Sequence, residues 1–295
     1  MTTNPGVLRA NVACTFAARR FACRSPRHGM LGCMSVANWH RYVALGDSIT
    51  EGFCDPIVGL GEPWFGWADR LATILDGNAR LRGDEFEYAN LGVRGRRVRN
   101  VVDEQIPRAI DLGADLTSIL IGGNDLMTPK ADPDSLAAEI ELGVAALRAS
   151  GSDVLLATCF DPRFTFFLKP LRGRAAVFNA NLWSIARTHG TFTLDLWGAR
   201  ELQSRSMWAH DRVHLTTAGH RLLANKAAHS LGVPYFEVSN SPDGVSPAPV
   251  ASGLSGAAWL QRLALPWVGR RLRRESFGDG VSAKLSHLIA VTPRR

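Results

Sequence analysis

Between residues 41 and 230, short apolar runs alternate with longer amphipathic ones, and few folds are compatible with such a pattern. Tyr42–Leu45, Phe86–Asn90, Leu116–Ile121, Asp153–Thr158 and Phe192–Leu196 read as five strands. Between and after them, Trp64–Leu75, Val98–Ile110 (interrupted by Pro107), Asp134–Ala149, Arg174–His189 and Thr216–His229 read as helices. Strands that are apolar on both faces and separated by helices of about 10–16 residues belong to a parallel sheet covered on both sides. Right-handed crossovers then give a single three-layer α/β/α domain. No apolar stretch approaches the ~20 residues a membrane-spanning helix needs.

The charge balance separates this region from the ends. The 295 residues carry a net charge of +7, but residues 1–40 hold five Arg and no acid, and residues 241–295 hold eight Lys/Arg against three acids. The middle, with 21 basic and 24 acidic residues, is slightly negative. A basic groove across the fold is not indicated, so nucleic acid is not an expected partner. Residues 1–40 show no structural period and are expected to be a disordered basic leader outside the fold. The expected domain is 41–236. Residues 237–295 read as a Pro/Ser/Gly linker followed by a basic tail. In that tail Trp259, Leu263 and Trp267 stand four apart beside Arg270, Arg271, Arg273 and Arg274. Such a segment either makes weak contact with an anionic membrane surface or docks its apolar residues on the domain. On this reading, residues of roughly 38–240 alone should fold and keep the chain's activity. Five cysteines, three of them in the leader, give no disulfide framework, and a reducing, cytoplasmic location is the expectation.

In parallel α/β sheets the chemistry collects at the carboxyl ends of the strands. The first strand runs into Gly46-Asp47-Ser48-Ile49-Thr50-Glu51-Gly52, which sets a serine hydroxyl where free backbone N–H groups can meet developing negative charge. The second ends in Asn90-Leu91-Gly92-Val93-Arg94-Gly95, whose glycines let an N–H approach a ligand. The third ends in Gly122-Gly123-Asn124-Asp125, offering a side-chain amide to an oxyanion. After the fifth, Asp211 and His214 stand three apart, so the acid can fix the imidazole tautomer while the other ring nitrogen meets a serine. Each block alone has a plain turn or capping explanation. In this order they supply every role acyl transfer needs. Metal binding by His210, Asp211 and His214 is set aside because no further ligand cluster accompanies them.

Gly46-Asp47-Ser48, the Asn90–Gly95 turn, Gly122-Gly123-Asn124-Asp125 and Asp211-x-x-His214 together resemble the GDSL/SGNH hydrolase family over about residues 41–230. The resemblance implies a flavodoxin-like five-stranded parallel sheet of order 2-1-3-4-5. It implies Ser48 as nucleophile, His214 as base and Asp211 as its orienter, with an oxyanion hole from the Ser48 and Gly95 N–H groups and the Asn124 amide. No cofactor or metal is called for, and the expected substrate is a small acyl ester. The expected activity is hydrolysis of carboxylic esters through an acyl-enzyme on Ser48. An acyltransferase using the same acyl-enzyme and a non-catalytic carbohydrate- or lipid-binding module remain alternatives.

Four points stay open at this stage. Gly92 rivals Gly95 as the backbone donor. Arg94 and Arg96 either select anionic substrates or brace the loop through Asp84, Glu85 or Asp125. Trp64, Phe65 and Trp67 read as core on one helix face. The loop Phe160–Leu171, rich in Phe and Leu, either binds an acyl chain or packs.

Overall fold

A computed structural model describes residues 38–56, 64–235, 278 and 280–291, all within one compact unit, Val36–Arg295. The expected leader and linker, and the Trp259/Trp267 segment, lie outside the described residues.

The sheet contains β1 (Arg41–Gly46), β2 (Glu87–Asn90), β3 (Leu116–Leu120), β4 (Asp153–Ala157), β5 (Phe192–Leu194) and β6 (Leu285–Ala290), in the spatial order β5-β4-β3-β1-β2-β6. The first five are parallel and reproduce the expected 2-1-3-4-5 order. The sixth is a correction to the five-stranded expectation. It comes from the region read as tail and pairs antiparallel with β2 at the sheet edge.

Alternation along the strands divides the interior into two layers. Tyr42 and Ala44 of β1, and Leu116 and Leu120 of β3, point to the side covered by α2 (Trp67–Arg82) and α8 (Thr217–Ser230). Val43, Leu45 and Ile119 point to the other side, covered by α6 (Pro133–Ala149) and α7 (Arg172–His189). That period-2 partition is what the apolar runs imply when both faces are buried. Of the three aromatics assigned to a helix face, only Trp67 lies in α2, where it is fully buried; Trp64 and Phe65 precede the helix and are half-buried.

The helix interrupted by Pro107 resolves into α3 (Val98–Asn100), a π turn (Val101–Gln105) and α4 (Ile106–Asp111). Proline lacks the N–H for an i−4 bond and its ring crowds the carbonyl of that residue, so the backbone widens just before it. The wider turn brings Gln105 onto the end of β1. Its amide accepts from Gly46 N (2.8 Å) and donates to Gly46 O (3.0 Å), fixing the residue two before Ser48.

Candidate active site

Ser48 opens α1 (Ser48–Glu51), a single buried helical turn. Asp47 caps it, its Oδ1 accepting from Ile49 N at 3.0 Å. His214 arrives from the turn before α8, where Asp211 Oδ1 accepts from the N–H groups of Val213 and His214, both at 3.0 Å. Thus the spacing of three that suggested a pair folds into a loop organised by the carboxylate itself. The other carboxylate oxygen, Oδ2, lies 2.6 Å from His214 Nδ1, and His214 Nε2 lies 2.9 Å from Ser48 Oγ. The structure therefore brings Ser48, His214 and Asp211 into one continuous relay, across 166 residues of sequence between serine and histidine.

The electrostatics follow from burial and pairing. Burial alone would lower the His214 pKa, but the hydrogen bond and charge of Asp211, with a smaller push from Cys54, outweigh it and hold the imidazole above its ordinary range. Burial works against ionised Asp211 too, yet the His214 bond and the two backbone N–H groups keep its carboxyl well below the usual range. For Asp47 the balance falls the other way. Desolvation pushes it up to about 6, although the Ile49 N–H and the His214 charge pull the other way.

Of the oxyanion candidates, Gly95 adopts φ +78°, a left-handed turn conformation that glycine holds without strain. Gly92 is not available as its rival: its N–H donates to Asn90 Oδ1 at 3.0 Å. Its glycine character has another cause, because a Cβ there would stand 2.9 Å from both Glu51 N and Thr50 Cβ. Asn90, fully buried, completes this seam by donating to Thr50 O at 2.9 Å. The Asn124 amide reaches the site from α5 (Gly123–Leu126), where it donates to Asp47 Oδ2 (3.1 Å) and Arg96 O (3.0 Å).

Arg94 does not stand free at the mouth. Its guanidinium is paired with buried Glu51, to which its backbone N–H also donates (2.7 Å), and it lies over the Phe53 ring at 4.5 Å. Arg96 meets Glu104 at 3.3 Å on the surface. The bracing alternative describes Arg94, with Glu51 as the partner instead of Asp84, Glu85 or Asp125.

Beside Ser48 opens a cavity of about 120 Å³, whose lining includes Leu126, Phe160, Phe164, Leu168, Ala175 and Trp208. The Phe160–Leu171 loop both packs and lines: Phe164 stacks on Trp208 with ring centroids 3.9 Å apart, while Phe166 stays exposed.

Several residues escaped the sequence reading. Asp55 is 2% exposed; it pairs with Arg70 (2.7 Å) and accepts from Thr217 Oγ1 (2.6 Å), so it ties the turn after Ser48 to the start of α8 behind His214. Lys284, just ahead of β6, donates to Glu51 O (2.7 Å), Trp64 O (2.9 Å) and Asp69 Oδ2 (2.7 Å). Cys54 stands beside the imidazole, and its sulfur, an Asp211 oxygen and a His214 nitrogen lie within 4.8 Å of one another. The only local signal for the first two was an acid and a lysine that the turn chemistry did not require.

The profile of the GDSL-like lipase/acylhydrolase family matches residues 44–222. No curated protein matches the chain. Among solved structures, an acetylxylan esterase from Geobacillus stearothermophilus is 22% identical, with a TM-score of 0.57, and the match covers 68% of this chain and 98% of that one. LAE5, an alpha/beta hydrolase enzyme from the metagenome of Lake Arreo, Spain, is 26% identical with a TM-score of 0.55, over 67% of this chain and 97% of that one. A putative GDSL-like lipase from Parabacteroides merdae is 19% identical with a TM-score of 0.55, over 66% and 96%.

Proposed function

We propose, from the premise that this chain belongs to the GDSL-like lipase/acylhydrolase family, that it hydrolyses carboxylic esters through an acyl-enzyme on Ser48. The observation that carries the reading is the relay of 2.6 Å and 2.9 Å from Asp211 through His214 to Ser48 Oγ. Ser48 Oγ attacks the ester carbonyl while His214 Nε2 takes its proton; Asp211 holds the ring and stabilises the imidazolium. The oxyanion is received by the N–H groups of Ser48 and Gly95 and by the Asn124 amide, each donor lowering the barrier by about 3 kcal/mol. The oxyanion competes with the Asp47 carboxylate for an Asn124 proton, so Asn124 is already turned toward negative charge. His214 then protonates the leaving alcohol, and water, activated by the same imidazole, frees the acyl group. The catalytic mutants of the Geobacillus acetylxylan esterase are altered at a serine, an aspartate and a histidine, in keeping with this assignment.

The substrate is a small ester whose acyl group is apolar. An enclosed apolar cavity of about 150 Å³ accepts benzene, so 120 Å³ beside Ser48 suits an acyl tail of roughly four to six carbons. A fluorophosphonate should label Ser48, and Ser48→Ala should cut turnover at least about a thousandfold with the fold intact. On p-nitrophenyl esters of rising length, kcat/KM should peak at butyrate to hexanoate. Labelling of a different serine would overturn the nucleophile, and a peak at acetate would overturn the acyl assignment.

A further inference from the structure

The mechanism makes no use of Cys54, yet the fold holds it under constraint. Among the described residues, two that are not glycine adopt a left-handed φ: Cys54 at +76° and Arg212 at +61°. One lies in the turn after Ser48, the other in the Asp211–His214 turn, and these turns meet where the Phe53 ring packs on the imidazole with centroids 4.8 Å apart. Such backbone states cost on the order of 1–3 kcal/mol each and persist only where the surroundings impose them. Here the imposed geometry gathers a thiol, an imidazole and a carboxylate, all partly buried, with donor atoms within 4.8 Å of one another.

Sulfur, nitrogen and oxygen donors in one cluster are the set that zinc takes, at about 2.3, 2.0 and 2.0–2.2 Å. Bonds of that length in tetrahedral array put neighbouring donors roughly 3.3–3.8 Å apart. Asp211 Oδ2 and His214 Nδ1, 2.6 Å apart, need to open by somewhat under about 1 Å, while the sulfur, within 4.8 Å of both partners' donor atoms, needs to close by little more than about 1 Å at most, and partial exposure gives an ion access. Cys159 offers no rival thiol within the domain. It is 7% exposed, and burial pushes it up to about 12, so it does not present a thiolate.

We propose that Cys54, His214 and Asp211 form an inhibitory site for a divalent cation of the zinc class. Binding forms one bond each to sulfur, nitrogen and oxygen; the thiol proton and the proton on the ligating imidazole nitrogen pass to solvent, and nothing is oxidised or reduced. The imidazole lone pair and the carboxylate charge are then engaged by the ion, and His214 no longer serves Ser48. The inhibitory consequence rests on the function proposed above, whereas the binding does not.

The test uses the full-length chain, kept reduced, with Co²⁺ as a spectroscopic probe and Zn²⁺ as the inhibitor. Wild type should show the near-ultraviolet thiolate-to-cobalt charge-transfer band, and Zn²⁺ should displace it. The same Zn²⁺ range should inhibit ester turnover, with recovery on adding EDTA. Cys54→Ser should lose the band. Losing an outer partner already costs metal sites about 10–100-fold in affinity, so this variant should need at least about tenfold more Zn²⁺ for half-inhibition, measured against its own metal-free rate. Cys54→Gly, which tolerates the positive φ, serves if the serine variant does not fold. A band that survives in the variant assigns the signal to Cys14, Cys23 or Cys33 and overturns the site. Equal Zn²⁺ sensitivity in variant and wild type overturns it as well. Esterase activity without a band refutes the metal site alone, and a Cys54-dependent band without esterase activity refutes only the function.

Discussion

Lys284→Met tests whether the C-terminal strand is a working part of the catalytic domain. The lysine side chain is 10% exposed and the Asp69 side chain it pairs with is 8% exposed. Asp69 also accepts from Gly66 N (2.6 Å) and Tyr88 Oη (3.2 Å), but both donors are neutral. Methionine fills similar space and removes the cation, which leaves a buried carboxylate uncompensated and two carbonyls, Glu51 O and Trp64 O, without this donor. Breaking a buried ion pair from one side costs about 3–5 kcal/mol. For a domain of this size each kcal/mol moves Tm by about 2–4 °C, so a fall of roughly 6–20 °C is expected. Because Glu51 closes the helical turn that Ser48 opens, kcat should also fall, by up to about a hundredfold if the turn shifts by an ångström. The assays are thermal unfolding followed by circular dichroism and steady-state turnover of p-nitrophenyl butyrate. Adding Asp69→Asn should return part of the lost stability, since the orphaned charge goes with it. A Tm within about 2 °C of wild type would refute the reasoning. The same argument reverses the expectation that roughly 38–240 suffices: without β6, that piece exposes the β2 edge and orphans Asp69, and should be unstable.

The remaining expectations concern charge around Ser48. As His214 must be neutral to act as base and Asp211 raises its pKa, kcat/KM should climb with pH along a limb above the ordinary imidazole value of about 6.5; Asp211→Ala should move that limb to lower pH and cut kcat by about 10⁴, and an unmoved limb would break the assignment. The same linkage makes the His214–Asp211 pair stabilise the fold fully between about pH 4 and 6.5, less as pH rises through the elevated imidazole value, and less again as pH falls below about 4 and Asp211 takes up its proton. Asp47 slopes the same way as the imidazole, but as a penalty: being raised to about 6, it weakens the fold as pH climbs from about 4 to about 6, by up to about 3 kcal/mol. Urea unfolding of Asp47→Asn should therefore lack that decline, and an identical pH profile would contradict it. Arg94→Ala should slow a neutral and an acidic ester of equal acyl length by the same factor, independent of salt, because the guanidinium is spent on Glu51; a selective loss on the acidic ester would restore a steering role.

The legible part of this fold was the part written in local periodicity and turn chemistry. Five strands buried on both faces have no choice but to read as apolar runs, and the four blocks sit where strands end and the backbone must turn sharply. Asp211 and His214 were legible because three residues of sequence separate them and the loop closes on itself. β6 was not, because an edge strand with one paired side need not carry an unbroken buried run: Ser286 and His287 interrupt its apolar residues, and four of its six residues are exposed. Lys284 was equally silent, since its partners Glu51 and Asp69 lie 233 and 215 residues away. The π turn was half-visible: Pro107 announced an interruption, but not that Gln105 would be swung onto Gly46.

These silent residues share a physical task. α1 is a four-residue helix that carries the nucleophile, and a helix so short has almost no intrinsic stability. Beyond the local Asp47 cap, its geometry is imposed by contacts from distant segments: Gln105 on Gly46, Asn90 on Thr50, Arg94 on the Glu51 side chain, Lys284 on the Glu51 carbonyl. Asp55 then links the following turn to α8 through Thr217. Two of these anchors are charges held under low exposure, where removing one partner costs far more than a surface pair contributes. Placement of Ser48 Oγ against His214 Nε2 is thus fixed by residues that never touch the ester, and the charge layer beneath the nucleophile serves geometry before it serves substrate attraction.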